Sequence, residues 1–155
     1  MSFTNAKNYL NSYGLENNII ELNESSATVA DAAHAPHCTE AEIAKSLAFI
    51  VNDKPILIVV SGNSKIDNGK FKAEFNTKAK MIPFDEVEPK IGHAVGGVCP
   101  FGINQGVEVF LDTSLKQFST VYPACGSSNS AVKLTLDELI RTSNYTRFVD
   151  VCKSN

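Results

Sequence analysis

Two apolar runs joined by turn residues constrain this chain more than any other feature. Ser46 to Val51 reads SLAFIV, Asn52-Asp53-Lys54 follows as turn material, and Pro55 to Val60 reads PILIVV. Strand-forming residues on both sides of a short polar turn predict a β-hairpin. The second run shows no alternation of apolar and polar residues, so its strand is expected to be buried on both faces.

Helical and extended patterns alternate irregularly around the hairpin. Phe3, Ala6, Tyr9, Leu10 and Tyr13 share one helical face, and Gly14 stops that helix. Asn18 to Leu22 (NIIEL) reads as a short strand. Thr28-Val29-Ala30-Asp31 opens a second short helix that Pro36 ends. Thr39 and Glu42 form a capping box over a brief helix, because the periodicity changes by Ser46. A helix is predicted over Lys70 to Phe75. Another starts at Pro83, with Asp85 and Glu86 near its positive end, Lys90 near its negative end, and Gly92 as its cap. Its apolar stripe is Phe84, Val87 and Ile91. Val107 to Leu111 and Thr120 to Tyr122 read as strands, and Val132 to Leu134 as extended chain. A capping box at Thr135 and Glu138 opens a helix through Arg141, and Arg147 to Val151 closes with a strand. There is no repeat, no linker and no regular βαβ rhythm. The expected class is therefore α+β with a mixed sheet, in one domain spanning residues 1–155.

Composition excludes several classes. With 43% hydrophobic and 20% charged residues, the chain has an ordinary globular balance. No run approaches the ~18 apolar residues of a membrane span, and MSFTNAKNYL lacks the apolar core of a signal peptide. Cys38, Cys99, Cys125 and Cys152 are widely spaced with no CxxC pair, so they read as reduced thiols in the cytoplasm. At a net charge of −3, any affinity for nucleic acid must come from a local patch. Asn63 to Lys80 is one such window. Lys65, Lys70, Lys72, Lys78 and Lys80 face Asp67 and Glu74, giving a net +3, which is equally the pattern of a solvated lysine face.

The chemical candidates are few. His34, His37 and Cys38 place three ligand types within five residues, but Pro36 breaks a helix there. No second cluster completes a tetrahedral set, so neither a metal nor any other cofactor is expected. There is no GxSxG elbow and no P-loop. His93 precedes Cys99 by six residues, which leaves either a Cys–His pair or a small buried cysteine. Lys45 either runs out to solvent or points into a cleft as a fixed cation. Asp112 is either a general base or the cap of the turn at Thr113-Ser114. In HAVGGVCPFG, residues 93–102, adjacent glycines leave backbone N–H groups uncovered, Pro100 fixes the next turn and Gly102 lets the chain leave it. Such a loop can aim main-chain donors at a carbonyl oxygen or a phosphate. The loop Cys125-Gly126-Ser127-Ser128-Asn129-Ser130 adds hydroxyls and an amide, and by itself reads as a turn.

Taken in order, Ile43-Ala44-Lys45-Ser46-Leu47, the hairpin, Gly96-Gly97-Val98-Cys99-Pro100-Phe101-Gly102, Val109-Phe110-Leu111-Asp112, the Gly126 loop and the capped helix from Thr135 resemble the YbaK/EbsC-type aminoacyl-tRNA deacylases. That family is related to the editing domain inserted in many bacterial prolyl-tRNA synthetases. The resemblance runs from about Thr28 to Val151. It implies an α+β fold with a mixed, barrel-like β-sheet and surrounding helices. It also implies cytoplasmic, free-standing hydrolysis of the ester of a mischarged tRNA, typically a proline tRNA carrying a small wrong amino acid. Lys45, Gly96 and Gly97 would be the catalytic residues. Thr28, Ser46, His93, Cys99, Pro100, Phe101, Gly102, Gly126 and Ser127 would line the substrate pocket. The implied partners are aminoacyl-tRNA and a prolyl-tRNA synthetase, with no membrane. Members acting on cysteine often carry a basic residue, a glycine and then an acidic residue after the Gly126 position. Here Ser127-Ser128-Asn129 and Ala131 stand there, so the cysteine-removing activity does not carry over by default. A non-catalytic module of the same fold, binding a tRNA end, a nucleotide or a synthetase, is the alternative.

Overall fold

The computed structural model describes residues 2–21 and 38–153. The helix expected over residues 28–36, with Thr28, His34 and His37, lies outside the described residues.

The hairpin forms as the sequence dictates. Strand β2 (Ile43–Val51) pairs antiparallel with β3 (Lys54–Ser61) in one unbroken register, from Ala44 opposite Ser61 to Val51 opposite Lys54. Asn52 and Asp53 both take positive φ, 51° and 64°, which makes the two-residue turn that matches strand twist. Strand β2 starts three residues before Ser46. The segment between the Thr39–Glu42 capping box and the strand is a single 3-10 turn, Glu40–Glu42, so Lys45 and Ser46 are both strand residues.

Strand β3 becomes central because β4 (Glu108–Asp112) joins it in parallel, and β8 (Arg147–Val149) joins β4. On the other side, β5 (Thr120–Pro123) pairs in parallel with the start of β2, and β7 (Leu134–Thr135) pairs antiparallel with β5. The six-stranded mixed sheet runs β7-β5-β2-β3-β4-β8 and curls into a half-barrel. A separate two-stranded ladder joins β1 (Ile19–Glu21) to β6 (Ser130–Val132).

Both faces of β3 are covered, and the strand period of two sorts the residues between them. Leu57 and Val59 join Ala44, Ala48, Val109 and Leu111 in the larger core. Helices α1 (Ser2–Asn11), α3 (Phe84–Ile91) and α4 (Leu136–Thr142) supply Leu10, Ile91 and Leu139 to it. Ile56, Ile58 and Val60 face a second cluster with Phe49 and Phe110, which α2 (Asn68–Phe75) covers through Phe71. There, aromatic rings lie 5.0 Å apart for Phe49–Phe71 and 5.1 Å for Phe75–Phe110.

Two residues assigned to apolar helical faces lie outside: Tyr13 follows the end of α1 and is 38% exposed, and Phe84 is more so. Phe84 is 78% exposed, and α3 buries Val87 and Ile91 without it. The chain enters α3 through Ile82, which is buried and donates its N–H to Ala48 O at 3.0 Å. Ile82 thus takes the place at the core that the helical stripe assigned to Phe84.

Candidate active site

The free edge of β2 is the starting point. Strand β5 pairs with it at Ile43 and Ala44. Three residues on, the segment Lys80–Ile82 takes over: Ile50 N–H donates to Lys80 O at 2.9 Å, and Phe49 stands opposite Met81. Among the described residues, no strand pairs with this edge at Lys45, Ser46 and Leu47, a stretch of roughly 10 Å. Ser46 Oγ is buried in that gap with no hydrogen-bond partner among the described residues. A buried hydroxyl left unpaired is rare enough to require an explanation.

Consecutive strand residues point to opposite faces, so Lys45 and Ser46 diverge. Lys45 sits opposite Val60, on the α2 side, and donates from Nζ to Ser64 O at 2.7 Å. Burial lowers the pKa of its ammonium below the ordinary lysine value, with neighbouring Lys65 acting in the same direction. Ser64 lines an open polar cleft of about 380 Å3, together with Lys70, Asp112, Ser114 and Cys152. Asp112 is 1% exposed, and both carboxylate oxygens are engaged: Ser114 N–H donates at 2.8 Å and Val151 N–H at 2.9 Å. Of the two roles open to Asp112, the turn cap is the one formed.

Ser46 instead shares the face of Ala44 and Ala48, whose core contains Cys99, Phe101 and Cys125. Over that core lie the two glycine loops. Gly97 is buried, and a Cβ on it would stand 2.5 Å from Gly126 C and from Ser127 N. Gly126 N–H donates to Gly97 O at 3.0 Å, and Gly97 N–H donates to Ala94 O at 3.0 Å. The glycine pair therefore serves first to bring two backbones into contact. With the Gly97 N–H engaged, the exposed residues of the loop are Ala94, Val95 and Gly96, the last at φ +99°, and Val98 is half-buried. Helix α1 braces the same junction. A Cβ on Gly126 would meet Ser2 O at 2.5 Å, one on Gly102 would meet Asn5 O at 2.7 Å, and Ser2 Oγ donates to Gly126 O.

The side chains of residues 93–102 are anchors beneath the loop. His93 is fully buried, and its Nε2 lies 2.6 Å from Phe101 O. A carbonyl can only accept, so Nε2 carries the proton and Nδ1 is bare; it has no partner among the described residues. Burial lowers the His93 pKa, which keeps the ring neutral. Cys99 is fully buried and directs its thiol at the same Phe101 carbonyl, 3.8 Å away. Burial raises its pKa far above the ordinary thiol range, so Cys99 is the small buried residue rather than half of a Cys–His pair. Burial also pushes Cys38 up to about 11, and Cys125 and Cys152 to about 12 each. Phe101 is fully buried with its ring 6.1 Å from Tyr9, and Pro100 is buried beside it. Ser127 Oγ is engaged with Asn129 and Ser130.

The structure thus gathers Gly96, Gly97, Gly126 and Ser127 at one junction, on the Ser46 face of the sheet. His93, Cys99, Pro100 and Phe101 lie beneath it, Gly102 lies against α1, and the Lys45 side chain runs to the other face. Two features were not read from the sequence: the α1 brace, and the Lys80–Ile82 segment that borders the gap. Neither has a periodic signature. Among the described residues no three His, Cys, Asp or Glu side chains gather as a metal site, and no helix is long and apolar enough to cross a membrane.

The chain as a whole has known counterparts. The model of the aminoacyl-tRNA editing domain matches residues 23–142, and the chain belongs to that family, the YbaK-type editing domains. YwhH of Bacillus subtilis (strain 168), an uncharacterized protein, is 46% identical over 154 residues, covering 99% of this chain and 98% of that one. Proline--tRNA ligase of Bacillus cereus (strain AH820) is 23% identical over 112 residues, 68% of this chain but only 19% of the ligase. Among solved structures, a candidate trans-editing enzyme for prolyl tRNA synthetase superposes with a TM-score of 0.88 at 27% identity, covering 99% of this chain and 98% of that one.

Proposed function

We propose that this protein is a trans-editing deacylase that hydrolyses the ester of a mischarged tRNA, a proline tRNA carrying a small wrong amino acid. The observation that carries the reading is the Ser46 hydroxyl, without a hydrogen-bond partner among the described residues and held in a stretch of sheet edge that none of them pairs, on the face of the glycine junction. Family membership supports aminoacyl-tRNA as the substrate class, and the ligase relatives and the trans-editing neighbour support the proline system.

In this reading Ser46 Oγ hydrogen-bonds the terminal ribose or the ester. The N–H groups of Gly96 and Val98, on either side of the engaged Gly97, stabilise the oxyanion as water attacks the carbonyl. The carbonyl–oxygen ester bond then breaks, the ribose hydroxyl takes a proton, and the free amino acid leaves. Lys45 provides a fixed positive charge for a phosphate of the RNA end. The described residues near the junction offer no free general base: His93 is buried beneath the loop and Asp112 is engaged at both oxygens. The substrate's own hydroxyl or amine therefore assists the water. Selection is by pocket size, where one methylene is worth about 1–3 kcal/mol. Such a role places the protein with the translation machinery in the cytoplasm and makes a prolyl-tRNA synthetase a natural partner.

The same lack of a free base favours the alternative, a module that binds a tRNA end without turnover. Single-turnover deacylation separates the two. Ser46→Ala is expected to fold and to lose on the order of 100-fold in rate, the scale of one lost transition-state donor, and Lys45→Ala is expected to fold and to lose rate at subsaturating tRNA through weaker binding of the RNA end. Both variants retaining the wild-type rate would overturn the assignment of these residues.

A further inference from the structure

The lysine window of residues 63–80 acquires a shape in the fold. Its two acidic residues are engaged elsewhere: Asp67 caps α2 by accepting from Lys70 N–H at 3.0 Å, and Glu74 pairs with Arg147 at 2.9 Å. Lys70 is held by Asp150 at 3.2 Å. Lys65, Lys72, Lys78 and Lys80 are exposed and make no ion pair among the described residues. They run from the polar cleft beside Lys45, over α2, to the free edge of β2. At that end the chain exposes two large apolar side chains close in sequence, Met81 at 57% and Phe84 at 78%. The segment carrying Met81 is fixed to β2 through Lys80 O and Ile82 N–H, so it borders the gap at Ser46. Ala48, to which Ile82 is bonded, is only two strand positions from Ser46, about 7 Å.

An exposed aromatic beside lysines that make no ion pair among the described residues fits one kind of partner best. Single-stranded nucleic acid offers a base face for the ring and phosphates for the ammonium groups. Resting on the reading of the substrate as aminoacyl-tRNA, we infer that Phe84 and Met81 form a stacking platform for the unpaired 3′ end of the RNA, with Lys78 and Lys80 on its phosphates. Met81 stands opposite Phe49 and so takes the α2 face of the sheet, the face of Lys45, and the platform leads the RNA end along that face to the gap in β2 where Lys45 and Ser46 diverge. The acidic residues next to Phe84 give the platform a direction. Asp85 is exposed and Glu86 is tied to Lys90 at 2.9 Å, so phosphates are kept to the Lys78–Lys80 side.

The test uses the full chain and an uncharged RNA hairpin ending in an unpaired 3′ overhang, titrated by fluorescence anisotropy at several salt concentrations. Wild type is expected to bind the overhang hairpin more tightly than a blunt one. Phe84→Ala is expected to lose about fivefold or more in affinity with an unchanged salt slope. Lys78→Glu with Lys80→Glu is expected to weaken binding and lower the log–log salt slope by about 1.4, for two contacts on a single strand. Unchanged unfolding temperatures keep both readings interpretable, since all three replaced side chains are on the surface. Wild-type affinity and slope in both variants would overturn the inference, as would no binding by wild type at low salt. Loss of prolyl-tRNA synthetase binding with RNA affinity intact would overturn it too, by making the patch a protein contact. Because the RNA is uncharged, its binding is read apart from catalysis, and tight overhang binding by a protein that fails to deacylate charged tRNA would count against the catalytic reading alone.

Discussion

Replacing Gly97 by alanine is the sharpest perturbation of the loop junction. The added methyl would stand 2.5 Å from Gly126 C and Ser127 N and 2.7 Å from Gly126 O, where ordinary contact begins near 3.4 Å. All three atoms are backbone, so one loop must move by nearly an ångström. Gly97 is not among the positive-φ glycines, so the cost is steric rather than conformational. Overpacking of this kind costs about 1–3 kcal/mol, and weakening the Gly126 N–H to Gly97 O bond adds about 1 kcal/mol. For a domain of this size that lowers Tm by roughly 5–12 °C. Gly106→Ala is the control. It has positive φ but no atom within 4 Å of the added Cβ, so only a backbone penalty of about 1 kcal/mol applies. Thermal unfolding by circular dichroism compares the two, and deacylation per folded molecule reads the effect on the site. A Gly97→Ala protein with wild-type Tm and rate would refute the close-packed junction.

Three further outcomes follow from the buried groups. Burial holds folded His93 below its unfolded value of about 6.5, so the unfolded chain takes up the proton first as pH falls. Stability from neutral His93 is present above about pH 6.5 and is lost below it. Tm should therefore fall on acidification less steeply in His93→Gln, and parallel curves would contradict this. Asp112→Ala strands the N–H groups of Ser114 and Val151 and should cost about 2–4 kcal/mol in denaturant unfolding. Its activity per folded molecule should persist, whereas lost activity at full stability would make Asp112 a base after all. Iodoacetamide at neutral pH should leave Cys99 unmodified in the native protein and label it only after unfolding, read by mass spectrometry. Rapid native labelling with loss of activity would restore a Cys99 nucleophile.

The hairpin, the capping boxes at Thr39 and Thr135 and the buried centre of β3 were legible because each rests on local chemistry: turn residues, an acid three positions after a threonine, an unbroken apolar run. Phe84 misled because helical periodicity reports a face but not where the helix begins to touch the core, and Ile82 made that contact first. The site was legible as a list of segments and not as an arrangement. That Lys45 and Ser46 face opposite sides depended on the strand starting at Ile43, three residues before the apolar run. The need for glycine at 97 and 126 comes from the other loop and from Ser2, contacts far apart in sequence. No periodicity encodes such meetings.

The most direct test of the central claim is release of amino acid from tRNA. Proline tRNA charged with cysteine, alanine, serine or threonine, and correctly charged with proline, would be incubated with the wild-type protein, and the remaining ester followed over time. The expected result is hydrolysis of at least one mischarged species on the order of 100-fold faster than prolyl-tRNA. Decay of every species at the rate seen in buffer alone would contradict a deacylase.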